Sequence, residues 1–443
     1  MNISLSDHFT YRKLLTFTLP SIVMMIFTSV YGVVDGFFVS NYVGKTSFTA
    51  VNLIMPFLMI LGALGFMFGA GGSALISKTM GEGDHKRAVS IFSMLVYIAA
   101  ALGILIAAAG IIFIRPIAAL LGADGQTLED CVSYGRVILI ALPAFILQYA
   151  FQSFFITAQK PQLGLVVTVA AGFTNIILDW LLVGVLSFGL KGAAAATAAS
   201  QAVGGIVPLF YFAGKNTSLL RLTKPVFDGK ALLKTCTNGS SELLSNISMS
   251  LVSMLYNVQL IKHTGEDGVA AYGVLMYVNL VFLAVFIGYS TGTAPVIGFH
   301  FGAEKYDELK SLLKKSLVII GISSAVMFTL SEMLAKTLAG IFFSYDEGLM
   351  SLTLRAFRIY SFSFLFAGLA VFGSSYFTAL NDGWTSAVIA FLRTMVFQAA
   401  SVIILPIFLK TDGIWLSIVI AEFAAAALSA GFIAAKKPKA QLA

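Results

Sequence analysis

The chain has 443 residues, 58% of them apolar and only 11% charged, whereas ordinary soluble domains carry roughly 25% charged residues. That balance excludes a conventional water-soluble enzyme, and the net charge of +7 reads as the Lys and Arg of cytoplasmic loops rather than as a nucleic-acid surface. The two cysteines, Cys131 and Cys236, fall near opposite faces of the membrane in the order of spans below, so neither a disulfide nor a cysteine metal cluster is expected.

In chain order, apolar stretches lie near 14–40, 49–77, 89–114, 131–157, 165–186, 192–214, 232–262, 269–298, 316–340, 356–380, 385–409 and 413–435. Each is long enough, as helix, to cross about 30 Å of hydrocarbon. They predict an all-α membrane protein with twelve transmembrane helices. The first stretch follows Arg12 and Lys13; it is too long for a signal-peptide core and lacks a cleavage site, so it is expected to stay as a span.

With the N-terminus inside, eighteen basic residues fall on the inner side: Arg12, Lys13, Lys78, Lys86, Arg87, Lys160, Lys215, Arg221, Lys224, Lys230, Lys234, Lys305, Lys310, Lys314, Lys315, Lys436, Lys437 and Lys439. Nine fall outside and Arg393 lies within a span. The bias predicts cytoplasmic termini.

A shift of 221 residues superposes landmarks without a gap. Gly44 falls on Gly265, Ala50 on Ala271, Gly71 on Gly292 and Gly81 on Gly302. Thr157 and Ala158 fall on Thr378 and Ala379, Gly192 on Gly413, and Gln201 on Glu422. The chain therefore reads as two pseudo-symmetric six-helix bundles, 1–214 and 232–443, joined by a basic cytoplasmic linker, 215–231, that contains Pro225. An even number of spans per unit relates the halves by an axis along the membrane normal.

Charges inside spans are costly and are functional candidates by default. Asp35 in the first span and Asp179 in the fifth reach similar depths, within ~3 Å at a rise of about 1.5 Å per residue. Asn175, one helical turn before Asp179, shares its face and adds a carbonyl oxygen. Either acid alone could simply cap a broken helix; two acids and an amide at one depth favour a site for sodium or a shared proton. The equivalent positions of the second half hold Tyr256 and Ala400, so the fold itself does not require these acids.

Arg393 and Glu422, in the eleventh and twelfth spans, are expected to form a buried structural ion pair. Glu332 and Lys336, an i, i+4 step apart near the outer end of the ninth span, read as a helix-end pair. Gly44-Lys45-Thr46 is not a phosphate loop, because the first glycine of that motif would fall on Val39. His8, His85, His263 and His300 are assigned to loops or the N-terminal segment, and neither a zinc-protease nor a serine-hydrolase motif occurs. The chain is expected not to be an enzyme. Aromatic and methionine side chains could line an adaptable cavity, with Tyr31, Met59, Gln152 and Tyr256 as candidate lining residues.

Pro20 fifteen residues before Asp35, the following Gly44, and the exit of the second span from Gly71 to Gly81 with a basic loop after it give the whole chain a pattern that resembles the multidrug and toxic-compound extrusion (MATE) family. The resemblance implies two six-helix lobes and antiport of amphipathic organic cations against protons or sodium. It also implies a cation site from Asp35, Asn175, Asp179 and Thr197. In some relatives the acids lie on helices 7 and 10; here the tenth span has none and the seventh has only Glu242, near its inner end. Competing readings are a flippase for lipid-linked saccharides, which needs a broad cationic cavity, and a non-transporting receptor. The expected partners are a small organic molecule and the lipid bilayer of the cell membrane, with no nucleic acid and no cofactor beyond the coupling ion, in a monomer.

Overall fold

The structure is a computed structural model that describes residues 3–43, 45–343 and 346–436; Gly44, Lys437 and Lys439 lie outside the described residues. The described chain is helical throughout its ordered elements, with no β-strand among the described residues. In hydrocarbon every backbone N–H and C=O must be paired within the segment, and helices do this.

The helices are α1 Tyr11–Phe38, α2 Lys45–Gly81, α3 His85–Leu120, α4 Gly125–Thr157, α5 Pro161–Leu178 and α6 Gly189–Ala213. After an irregular linker come α7 Gly229–Gly302, α8 Tyr306–Phe343, α9 Glu347–Tyr360, α10 Phe364–Ala379, α11 Gly383–Phe391 and α12 Gln398–Ala435. α2, α3 and α8 extend past their apolar stretches at both ends. Starts are fixed by side-chain caps: Asp84 accepts from Arg87 N at 3.0 Å, Asp228 from Ala231 N at 3.0 Å and Asp346 from Leu349 N at 3.0 Å.

Ten described helices are long and apolar enough to cross a membrane, rather than twelve. The difference has two sources. The N-terminal part of α7 is rich in polar side chains (Thr235, Asn238, Ser241, Glu242, Asn246) and only Asp267–Gly302 qualifies. Gly383–Ala435 runs on as one long element. Both long elements are nevertheless broken, α7 at Gly265 (φ 66°, ψ −150°) and α12 at Lys410 (φ 52°, ψ −129°).

Two pairs of left-handed backbone positions follow the sequence offset. Gly83 (φ 86°) corresponds to Glu304 (φ 56°), and Gly189 (φ 59°) to Lys410 (φ 52°). Lys410 thus occupies the place where α6 begins after a turn in the first half. The linker is irregular only up to Asp228, so α7 starts three residues earlier than the sequence suggests. Thr223 N donates to Ser93 Oγ at 2.9 Å, and Asp228 meets Arg87 at 3.4 Å, which fastens the linker to α3. The Ala231 N–H, backed by Arg87, holds the Asp228 carboxyl below the usual carboxylate range.

Three apolar cores form. One uses residues between Val39 and Ala231, another residues between Val252 and Ile418. The third is mixed, joining Leu5, Phe9, Leu14, Phe17 and Met24 to Val296, Ile297, Leu309, Leu312 and Tyr376. At this same end α2 and α7 touch backbone to backbone: a Cβ on Gly71 would strike Thr235 O, and one on Gly81 would strike Phe299 O. Asn381 Nδ2 donates to Ala74 O at 3.1 Å, and Asn238 Nδ2 to Asn381 Oδ1 at 2.7 Å, so polar bonds also cross this seam. The expected result for Gly81→Ala is a loss of about 1–3 kcal/mol, the usual range for overpacking. Gly321→Ala, where a Cβ meets nothing within 4 Å, should stay within about 0.5 kcal/mol of the parent. Denaturant unfolding of both variants checks the contrast.

Two charge assignments are corrected by the packing. Glu332 does not pair with Lys336 among the described residues; it accepts a short hydrogen bond from the Ser361 hydroxyl at the α9–α10 junction. His300 is in the last turn of α7, 1% exposed, with Phe9 and Phe299 edge-on to its ring. His263 is also helical and His85 opens α3, so only His8 stands in an unstructured stretch. Cys131 and Cys236 are both free, the former donating to Ala50 O at 3.3 Å.

Candidate functional site

Asp35 projects from α1 one turn before the helix widens into a π-helical stretch, Val39–Val43. Val39 N–H is shared between the carbonyls of Asp35 and Gly36. On α5 the same change begins at Asp179, the first residue of the π-helical stretch Asp179–Val185. A π turn inserts one extra residue, re-aims the side chains around it and is frequent at functional sites.

These two re-aimed helices and α6 converge. Asn175 Nδ2 donates to Asp35 Oδ1 at 3.5 Å and the Thr197 hydroxyl donates to the same oxygen at 3.4 Å. The Asp179 carboxyl stands beside Asp35. Asp179 is 0% and Asn175 2% exposed. Asp35, Asn175, Asp179 and Thr197 therefore share one site.

The acceptors are in excess. Both Asp179 carboxylate oxygens and Asn175 Oδ1 are buried without a hydrogen-bond donor, and such groups cost free energy unless something positive or protic meets them. Tyr134, fully buried on α4, stands beside Thr197 and both aspartates, with its hydroxyl 3.7 Å from Met55 Sδ. Nothing in the sequence singled out Tyr134 or the π stretches. Among the described residues no three His, Cys, Asp or Glu side chains gather as a metal cluster.

The candidate cavity residues separate. Tyr31, one turn below Asp35, is placed beside Gln148. Gln152 is 3% exposed and neither of its side-chain polar atoms has a partner, whereas Met59 is 40% exposed. Tyr256 belongs to the core of the second half, stacked on Tyr272 with centroids 5.2 Å apart and planes at 6°.

The second half holds a different arrangement. Arg393 sits in a third π-helical stretch, Leu392–Phe397, and its Nε donates to Glu422 Oε1 at 3.0 Å and Oε2 at 2.8 Å. The side chains are 14% and 3% exposed. Here opposite charges satisfy each other; in the first half, acids face acids.

The chain is thus a helical membrane protein whose first half gathers two carboxylates and whose second half holds an ion pair. The MatE family model matches the chain twice, over residues 20–181 and 243–404. The chain belongs to this family, the multidrug and toxic-compound extrusion family; it is a multi-pass membrane transporter and not an enzyme. It is 26% identical over 420 residues to the multidrug export protein MepA of Staphylococcus haemolyticus, covering 95% of this chain and 92% of that one. In fold it is similar to a crystal structure of a MATE transporter in complex with MaL6, with a TM-score of 0.91, 22% identity and 97% of each chain covered. It is similar as well to an outward-facing conformation of a multidrug resistance MATE family transporter, with a TM-score of 0.90, 23% identity and 97% of each chain covered.

Proposed function

We propose that the protein is a secondary active antiporter that exports amphipathic, cationic organic molecules from the cell in exchange for protons or sodium. The observation that carries this reading is the cluster of buried acceptors without donors at Asn175 and Asp179, set beside the Asp35 carboxylate. Two carboxylates this close in a low-dielectric site are stable together only when they share a proton or hold a cation. Relatives with the printed function of multidrug export support the substrate class.

The chain is read as twelve spans in two six-helix lobes, 1–214 and 232–443, with the breaks at Gly265 and Lys410 serving as the connections that one continuous helix hides. The lobes meet through α1, α2, α7 and α8 at the end carrying Gly71, Gly81 and Gly302, which the basic loops assign to the cytoplasm. The structure is then the state closed inward, and export proceeds as the lobes rock to close the opposite end. Cation entry at Asp35 and Asp179 changes the α1–α5–α6 contacts and drives that exchange. A flippase for lipid-linked saccharides is not favoured, since Arg393, the arginine placed deep in a span, is already neutralised by Glu422.

Pro20 lies inside α1 and leaves that helix without one backbone donor, so α1 should bend there in one transport state. Distances between spin labels on the two ends of α1, measured with the protein driven to each state, check this; an α1 equally straight in both states contradicts it. The function itself is tested by efflux of an organic cation from proteoliposomes under an imposed pH gradient and, separately, an imposed sodium gradient. Export driven by either supports antiport, and export indifferent to both overturns it.

A further inference from the structure

Ahead of α1, residues 4–9 form a short strap with no helical backbone pairing of its own. Besides the local ion pair of Asp7 with Lys13 at 2.8 Å, it is attached by side chains from far along the sequence. The Phe9 N–H donates to Glu308 Oε1 at 2.9 Å, and Lys315 Nζ donates to the Phe9 carbonyl at 2.5 Å. His8 Nδ1 donates to Glu308 Oε2 at 2.6 Å. Both backbone groups of Phe9 are thus held by charged side chains of α8, and such bonds are about twice as strong as neutral ones.

Apolar burial adds to this. Leu5 and Phe9 are each 0% exposed and pack in the mixed core with Val296, Ile297, Leu309 and Leu312. The Phe9 ring meets Phe17 edge-on at 6.0 Å and His300 at 6.4 Å. Toward the first half the attachment is looser: Gln159 Nε2 donates to Ser4 Oγ at 3.4 Å, beside a cavity of about 300 Å³ lined by Ile3, Thr16, Phe17, Gln159, Lys160 and Leu219. The strap runs directly into α1, so it cannot stay on α8 if α1 moves away from α7 and α8.

We infer that residues 4–9 are a latch: clamped by Glu308 and Lys315, they stabilise the state closed at the α2–α7 seam and must release for that end to open. This rests on the alternating-access reading above. Opening exposes Leu5 and Phe9 and breaks three charge-assisted bonds, so removing the clamp shifts the balance toward the state open at this end.

The test uses the full chain in proteoliposomes, with Cys131→Ser and Cys236→Ser and spin labels introduced by Lys86→Cys and Lys310→Cys, two exposed positions near this end. Double electron–electron resonance should show a short and a long distance whose populations shift with the imposed gradient. Glu308→Ala and Lys315→Met should each raise the long-to-short ratio at least fivefold. Two populations unmoved by both variants overturn the latch alone, and a single distance under every gradient overturns alternating access and the latch with it. Should the variants not fold, amide exchange on the unmodified protein decides. The Phe9 region should exchange faster under the gradient that populates the long distance, and equal protection in both states overturns the latch.

Discussion

Asp35→Asn and Asp179→Asn should each reduce gradient-driven export to the level of vesicles without a gradient, while the protein stays folded and inserted. The substitution keeps the shape of the side chain and removes the charge proposed to hold the coupling ion. Asp179→Asn also replaces one of the three buried oxygens that lack a donor by an amide with two N–H donors, so the variant should be at least as stable as the parent while inactive. Asn175→Ala and Thr197→Ala remove the donors at 3.5 and 3.4 Å from Asp35 Oδ1 and should weaken coupling without abolishing it. Transport assays paired with thermal unfolding separate these outcomes. Full export in both aspartate variants would place coupling elsewhere.

Breaking the ion pair of the second half should act on stability instead. Glu422→Ala leaves the Arg393 guanidinium buried and unpaired, and removal of one partner of such a pair costs about 3–5 kcal/mol. Replacing both, as Arg393→Met with Glu422→Leu, should return to within about 2 kcal/mol of the parent, because a buried pair roughly breaks even against apolar side chains of similar volume. Denaturant unfolding of the single and double variants measures the difference. If the double variant folds and exports normally, Arg393 and Glu422 hold α11 and α12 together without carrying the ion. Loss of export in a stable double variant would give the pair a transport role.

The contrast between the two halves was largely legible in the sequence, since an intramembrane charge is rare and its depth follows from helical rise. Asp35, Asn175, Asp179 and Thr197 are brought to one point, and Arg393 meets Glu422. What the residues did not reveal depends on backbone hydrogen bonding rather than on side-chain type. The π stretches after Asp35, from Asp179 and around Arg393 arise from a shift of one residue in the bonding pattern, which side-chain types do not mark. The number of spans was obscured in the structure for a related reason: Lys410 and Gly265 turn the chain through a single left-handed residue, so helix runs into helix.

Polar side chains misled where their partner is distant. Glu332 has Lys336 one turn away, yet the Ser361 hydroxyl reaches it first. His300 looks like a loop residue beside Gly302, but the strap packs Phe9 over it. The strap itself, with Ser4, Ser6, Asp7 and His8, has the composition of a free terminus, and only the placement of Glu308 and Lys315 on α8 shows what holds it.

The most direct measurement is ion movement linked to export. Proteoliposomes carrying the protein, with the organic cation inside and sensors for pH and sodium, should show protons or sodium entering the compartment the organic cation leaves, at a fixed ratio. That countermovement should vanish in the Asp35→Asn, Asp179→Asn double variant and persist in the Arg393→Met, Glu422→Leu double variant. Export of the organic cation with no countermovement of either ion, or countermovement unchanged when both aspartates are replaced, would contradict a coupling site at Asp35 and Asp179.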